Sequence, residues 1–365
     1  MKIKEVTSVI EDFAPLSFQE PYDNAGLLVG DGEQVAEGAL LCLDVTEAVV
    51  EEAVEKGAGL IISHHPVIFG GIKKLTADDP AGRIILKAVR NNISVYAAHT
   101  NIDSVWGGVN TRIADKIGLV NQEILSPARG ILRKLVVFVP VNDAPAVREA
   151  VFNAGAGHIG DYDQCSFNIT GEGSFRGGEN TNPYAGAAGS LHFEKELRIE
   201  TVYPEHIEKS VISAMIDAHP YEEVAYDIYP LGNSYERAGM GITGELEKEV
   251  KPAGFLDLLK ENFKTPVIRH TTFPGKNIKR VSVCGGSGSQ LTGAARRAGA
   301  DVFVSGDFKY HYFFGAGNDM MIADIGHYES EQFTMEIFHE LITKKIPNFA
   351  VHFSDTNTNP IHYWL

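Results

Sequence analysis

Two stretches of the chain align on each other without a gap, and nothing else in the sequence restricts the fold as strongly. Lys56-Gly57-Ala58-Gly59-Leu60-Ile61-Ile62-Ser63-His64-His65 runs parallel to Ala298-Gly299-Ala300-Asp301-Val302-Phe303-Val304-Ser305-Gly306-Asp307. Each reads as a helix end, a Gly-Ala turn, a short apolar run, a serine and then polar groups. A short apolar run between turn signals is the pattern of a buried parallel strand. A second pair of stretches follows, Val95 to Asp103 against Ala323 to Glu331, and in both a histidine is followed four residues later by an acid. The repetition predicts two related α/β halves. Each delivers polar side chains from the carboxyl ends of its strands, where open α/β sheets place their ligands.

The elements around these stretches fit that plan. Ile3, Val6, Val9, Ile10 and Phe13 recur at helical spacing, and Asp23-Asn24-Ala25-Gly26 is a turn cluster leading into Leu27-Leu28-Val29. Ala39 to Leu43 reads as a strand, and Asp44 with Glu47 as a capping box opening the next helix. With the strand Gly59 to Ser63 these form a βαβ unit. Pro66 keeps His65 extended. Helices are expected over about 79–91 and 109–117, with a strand at 93–98 between them. In the last segment, Arg280 to Cys284 is a strand and Gly285-Gly286-Ser287-Gly288-Ser289 a loop opening a helix. Such a loop can cradle phosphate at a helix N-terminus, but without a Lys-Ser/Thr ending it reads first as a tight turn.

Between the halves the rhythm changes. Strands are expected at 134–140, 162–170, 197–202 and 224–229, with helices at 144–153 and 205–218 and a Gly/Asn/Ala-rich stretch at 177–190. That order, βαββαβ, is the ferredoxin-like plan. The expected organisation is therefore α/β: two related halves, 1–130 and 237–365, forming one discontinuous domain, with an inserted ferredoxin-like α+β domain at 131–236. His158 and His219 flank turns of the insert and read as structural or interfacial rather than catalytic.

Charge and cysteine usage narrow the function. The 365 residues carry 32 Lys+Arg against 48 Asp+Glu, a net charge of −16. With no basic cluster, a nucleic-acid groove or an anionic membrane surface is disfavoured as the main function. No apolar run approaches membrane-spanning length, and no signal-peptide core follows the start. Cys42, Cys165 and Cys284 are far apart and read as reduced thiols in a cytoplasmic protein.

Pooling the strand ends of both halves gives His64, His65, His99, Asp103, Asp307, His311, His327 and Glu331. Imidazoles and carboxylates without cysteine suit borderline-to-hard divalent ions. Carboxylates bridge two such ions about 3.5–4 Å apart in hydrolytic centres. His327 and Glu331 share one face if a helix starts there.

Asp23 to Leu27, Ser63 to Pro66, His99 to Asp103, Gly306-Asp307 with Tyr310-His311, Gly326 to Glu331 and Thr358 to Ile361 resemble the Nif-three-like family, the GTP cyclohydrolase I type 2 homologues. The resemblance implies a dinuclear centre held by His64, His65, Asp103, His327 and Glu331. Asp307 and His311 are candidates for supporting groups, and His99 for either a supporting group or a direct ligand. It implies two divalent ions, zinc, iron or manganese foremost, and a toroidal homohexamer. The insert resembles the PII- or CutA-like domain of longer members. The activity implied is that of a metal-dependent hydrolase of a nucleotide-like or other small polar substrate. The alternative is a metal-loaded regulatory protein whose insert senses a metabolite or docks a partner.

Overall fold

The computed structural model describes residues 1–364. The chain divides into two compact units, one of residues 1–127 together with the chain from 237 onward, the other of residues 128–236. Among the described residues no helix is long and apolar enough to cross a membrane.

The first unit holds two sheets. In one, Gly38–Cys42, Leu60–Ser63 and Ser94–Ala97 lie side by side in parallel, and Gly26–Val29 closes the far edge antiparallel to Ser94–Ala97. In the other, Ile278–Ser287, Val302–Gly306 and Met321–Asp324 lie side by side in parallel, and Arg269–His270 closes the far edge antiparallel to Met321–Asp324. Strand order and sense therefore agree across four strands, as the internal alignment predicts. The halves differ at the near edge. Ala350–Phe353 adds to the first sheet in parallel, whereas Ser234–Val250 joins the second antiparallel to Ile278–Ser287, with Leu119–Arg129 beyond it.

Burial explains why the repeated strands hold their ends still. Leu60, Ile61, Ile62 and Ser63 are all fully buried, and so are Val302, Phe303 and Val304 to within a percent. Each apolar side chain among them contributes about 1.5–3 kcal/mol on leaving water. Leu41, Leu60, Ile62, Val302 and Val304 belong to one hydrophobic core with Phe255, Phe263 and Phe338, while Leu40 and Ile61 pack on the opposite face of the first sheet against Val49, Ala53, Ile85 and Ala88.

Some local expectations are corrected. Asp44 caps nothing: the helix Glu47–Glu55 is capped by Thr46, whose hydroxyl accepts from the Val49 amide at 3.2 Å. The helix predicted over 79–91 spans Pro80–Arg90, with Asp79 accepting from Gly82 N as its cap. Neither long strand flanking the second unit, Leu119–Arg129 or Ser234–Val250, stands out in the sequence. Polar and charged side chains interrupt both, so their apolar faces are too broken to read as period-two strands.

In the second unit, the strands stand in the order Ser166–Phe175, His192–Pro204, Leu132–Pro140, Tyr226–Pro230, all neighbours antiparallel. The helices Ala144–Asn153 and Glu208–Ala218 cover one face, burying Leu135, Val137, Val139 and Ile199 against Val147, Val151, Val211 and Met215. The strand expected at 162–170 begins later and runs on to Phe175. A tight turn takes up the earlier residues, where Ile159 and Tyr162 exchange backbone hydrogen bonds.

Candidate metal centre

Four imidazoles of the first unit are each fixed by one ring nitrogen. His64 Nδ1 lies 3.0 Å from the Ala98 carbonyl oxygen, and His65 Nδ1 lies 2.7 Å from Asp44 Oδ1. His99 Nδ1 lies 2.7 Å from Asp23 Oδ1, and His327 Nδ1 lies 2.7 Å from Asp307 Oδ2. A partner on Nδ1 sets ring orientation and turns Nε2 into the free ligand atom, the usual arrangement behind metal-binding histidines.

The local chain explains these placements. His64 and His65 leave the buried strand Leu60–Ser63, and their amides bond to the carbonyls of Cys42 and Leu43 on the neighbouring strand. The chain turns there, so the two rings lie on one side with centroids 4.8 Å apart. His99 precedes the short helix Thr100–Ser104, which carries Asp103; its backbone amide donates to Asn101 Oδ1 at 2.9 Å. His327 and Glu331 are the first and last residues of His327–Glu331, one helical turn apart, with His327 Nε2 3.0 Å from Glu331 Oε2.

Glu331 is the centre of the group. Its Oε2 also lies 3.1 Å from His65 Nε2, and its Oε1 lies 3.5 Å from His64 Nε2. Asp103 Oδ1 is 3.7 Å from the same His64 nitrogen. Three overlapping sets of donor atoms result: His64 with His65 and His99, His65 with His327 and Glu331, and His64 with Asp103 and Glu331, each within 4.8 Å and each able to hold a metal ion. His64 Nε2 and Asp103 Oδ1 are buried and without any hydrogen-bond partner. Leaving such groups unpaired costs about 1–3 kcal/mol each, and a cation between them removes that cost. The residues present fit a bound metal.

Electrostatics point the same way. Burial would lower the pKa of His65, but Asp44 and Glu331 outweigh it and raise the imidazole to about 9. For His327 burial is likewise outweighed, by Asp307 and Glu331, and the pKa rises to about 11. Burial raises Asp103, and the charge of Glu331 adds to it. Glu331, which burial alone would raise, is held far below the usual carboxylate range by His64, His327 and His65. The site draws positive charge to itself.

A family model described as Duf34/NIF3 (NGG1p interacting factor 3) matches residues 1–360. The chain belongs to that family. Among its curated relatives, the GTP cyclohydrolase 1 type 2 homolog of Bacillus subtilis is 39% identical over 373 residues, 99% of this chain and 98% of that protein. The homolog of the same name from Halalkalibacterium halodurans is 41% identical over 371 residues, covering both chains fully. A crystal structure of a Bacillus cereus protein related to NIF3 superposes with a TM-score of 0.86 at 38% identity, covering 100% of this chain and 99% of that one.

In this NIF3 chain the fold brings His64, His65, His99, Asp103, Asp307, His327 and Glu331 to one place. His311 is not among them: it is exposed, and its ring lies against those of Tyr310 and Phe314. The Gly/Ser loop is the tight turn the sequence suggests first, and it offers few free amides to a phosphate. Its three glycine amides are spent inside the protein, Gly285 N on Asn110 Oδ1, Gly286 N on Ser330 Oγ and Gly288 N on Ser305 Oγ. Its function is steric. Gly286 has φ +57°, and a Cβ there would sit 2.3 Å from Glu331 Oε1, so the glycine admits the central carboxylate.

Sequence reading missed two supporting acids, Asp23 and Asp44. Asp23 Oδ2 also accepts from the Thr100 amide at 2.9 Å, and Asp44 Oδ2 accepts from the Thr358 hydroxyl at 2.7 Å. Burial would raise Asp23, but hydrogen bonds from His99 and Thr100 hold it well below the normal range. The cluster opens into a cavity of about 550 Å³, flanked by Tyr22, Phe69, Tyr328 and the 359–361 segment.

Proposed function

We propose that the cluster holds two divalent cations and that the protein is a metal-dependent hydrolase of a nucleotide-like or other small polar substrate. The observation that carries this reading is the position of Glu331. Its Oε1 faces His64, which Asp103 also approaches, while its Oε2 faces His65 and His327, so one carboxylate serves two donor sets. His64 and Asp103 with Glu331 would hold one ion, and His65 and His327 with Glu331 the other. His99, pinned by Asp23, stands beside His64 and His65 with its second nitrogen free to meet an ion or a substrate.

Such ions supply Lewis acidity, polarising an electrophilic ring, carbonyl or phosphoryl group. The chain supplies the rest. Asp44, Asp23 and Asp307 fix the imidazoles before any ligand arrives, which lowers the reorganisation required. The cavity is of the size that small-molecule ligands fill, and the rings of Tyr22 and Phe69, 6.3 Å apart, stand at its side as apolar contacts. The relatives' name makes GTP the first nucleotide to try, and the donor set suits a phosphoester as well.

The remaining parts of the reading are also proposals. The antiparallel order of the second unit's strands, with both helices on one face, supports a ferredoxin-like insert of the PII or CutA kind. Family resemblance supports a homohexamer, testable by light scattering on the pure protein. Zinc, iron and manganese all suit nitrogen and oxygen donors.

The test is turnover by metal-loaded protein on a panel of nucleotides and phosphoesters. Hydrolysis of at least one member, lost in Asp103→Ala, is expected. No turnover of any member, or turnover unchanged in Asp103→Ala, removes the enzyme reading.

A further inference from the structure

We propose that the second unit carries a ligand site of its own, for a small planar nitrogen heterocycle that presents adjacent N–H donors. The site concerns residues 128–236 alone and does not depend on the metal reading. It is a cleft of about 550 Å³ on the sheet face that the two helices leave uncovered, roofed by the segment 176–184. Ligand cavities of this kind are mostly apolar with a few placed polar groups, and this one has that character.

The placed group is Glu196. Along its strand, Glu194, Glu196, Arg198 and Glu200 alternate onto one face. Glu194 pairs with His192 at 3.0 Å, and Glu200 with both Lys134 and Arg198, at 3.0 and 2.9 Å. Glu196 pairs with no cation among the described residues, although it is only 8% exposed. Its hydrogen-bond partner is the Tyr221 hydroxyl, which donates at 2.9 Å. A buried carboxyl group facing a cavity with one neutral donor is an incomplete arrangement. Gly173 keeps it so: a Cβ there would lie 2.3 Å from Glu196 Oε2.

The walls select a flat ring. Phe175 and Tyr184 both neighbour Tyr221, with centroids 5.8 and 6.0 Å from it, and Phe138 lines the same cleft. Aromatic faces of this sort bind planar rings by offset or edge contacts. Beside them Arg198 spends Nη2 on Glu200, while its Nε is buried and has no hydrogen-bond partner. A ring with an N–H/NH₂ edge meets Glu196 through two parallel hydrogen bonds. An acceptor elsewhere on that ring would meet the guanidinium of Arg198, which lines the same cleft. Neither an aliphatic acid nor a bare hydrocarbon answers both groups.

Isothermal titration of the full chain with 2-aminobenzimidazole, and with 2-methylbenzimidazole as a probe of equal size lacking the amino donor, tests the assignment. The amino compound is expected to bind, and the methyl compound at least about tenfold more weakly. Glu196→Gln is expected to cut binding of the amino compound by at least about tenfold and to weaken the methyl compound, which keeps only one N–H donor, by a smaller factor. Asp103→Ala, in the other unit, is expected to change neither, which separates this site from the metal centre. Should Glu196→Gln fail to fold by circular dichroism, Phe175→Leu reads the same cleft, with several-fold weaker binding of the amino compound expected. No binding at millimolar concentration, equal affinity for the two probes, or loss in Asp103→Ala would overturn the proposal.

Discussion

The two halves of the first unit have the same four-strand arrangement but use it differently at the site. After its central strand, the first half places His64 and His65; the second half has Gly306 and Asp307 at the aligned positions. Asp307 reaches back to hold His327, as Asp23 holds His99 in the first half. The aligned acids part company most clearly. Burial and the charge of Glu331 push Asp103 up, whereas three imidazoles outweigh burial at Glu331 and hold it down. The duplicated scaffold therefore fixes where side chains emerge, and the identity of each residue decides whether it donates, bridges or braces. One half supplies most of the imidazoles. The other supplies the shared carboxylate.

The sharpest way to break this comparison is to exchange the aligned acids one at a time. Glu331→Gln is expected to abolish binding of the two proposed ions, because the two donor sets assigned to them share it. Asp103→Asn is expected to lose one ion and keep the other. Metal per chain, measured by plasma mass spectrometry after purification, checks both; equal losses in the two variants would contradict the assignment of Glu331 as the shared ligand.

Gly286→Ala comes next. The substitution forces a side chain into the left-handed region at φ +57° and against Glu331. A loss of about 1–3 kcal/mol in chemical denaturation is expected, together with reduced metal content. Wild-type stability and metal content would show that the loop is not shaped around the carboxylate.

The bracing acids should act more gently. Asp307→Asn is expected to weaken metal affinity by about 10–100-fold, the usual effect of removing a group that orients a ligand. Asp23→Asn is expected to match it if His99 reaches an ion, and to leave affinity near wild type if His99 faces the substrate instead. Competition with a chromogenic chelator measures both.

The smallest effect tests where the halves share chain. The strand Ala350–Phe353 belongs to the first sheet, and Glu52 ties down the segment after it, accepting from Ser354 Oγ at 2.6 Å and from the Asp355 amide at 2.7 Å. Burial would raise Glu52, but hydrogen bonds from Lys56, Ser354, Asp355 and Thr356 outweigh it and lower the pKa to about 2. A depressed carboxyl pKa stabilises above the unfolded value and is lost as pH falls through the folded one. Glu52→Gln should therefore cost about 1–2 kcal/mol at pH 7. The gap to wild type should close between about pH 4.5 and pH 2. A gap that persists at pH 2 in denaturant titrations would mean the effect is not that of the ionised carboxyl group.

Much of this was readable from the chain because buried parallel strands are written as apolar runs with polar residues at their ends. Ser63-His64-His65 and the His–acid spacing of His99 with Asp103 and His327 with Glu331 therefore placed most of the cluster. What stayed hidden depends on distant residues. Asp44 carries a local pattern that suits a helix cap, and Thr46 takes that role two residues closer to the helix, leaving Asp44 to brace His65. Asp23 sits in a turn cluster whose partners lie on another strand end. Gly286 reads as a flexible loop until the carboxylate it admits is located. His311 matched by residue type but lies in the Tyr310–Ala316 turn, which exposes it. Side-chain chemistry was legible where the backbone period announced the element, and illegible where a contact joined residues far apart in sequence.

Anomalous diffraction from crystals of protein purified without added metal tests the central claim most directly. Two peaks are expected, one beside His64 and Asp103 and the other beside His65 and His327, each within bonding distance of a different oxygen of Glu331. A map with no peak among these residues, or with a single peak that Glu331 does not touch, would contradict it.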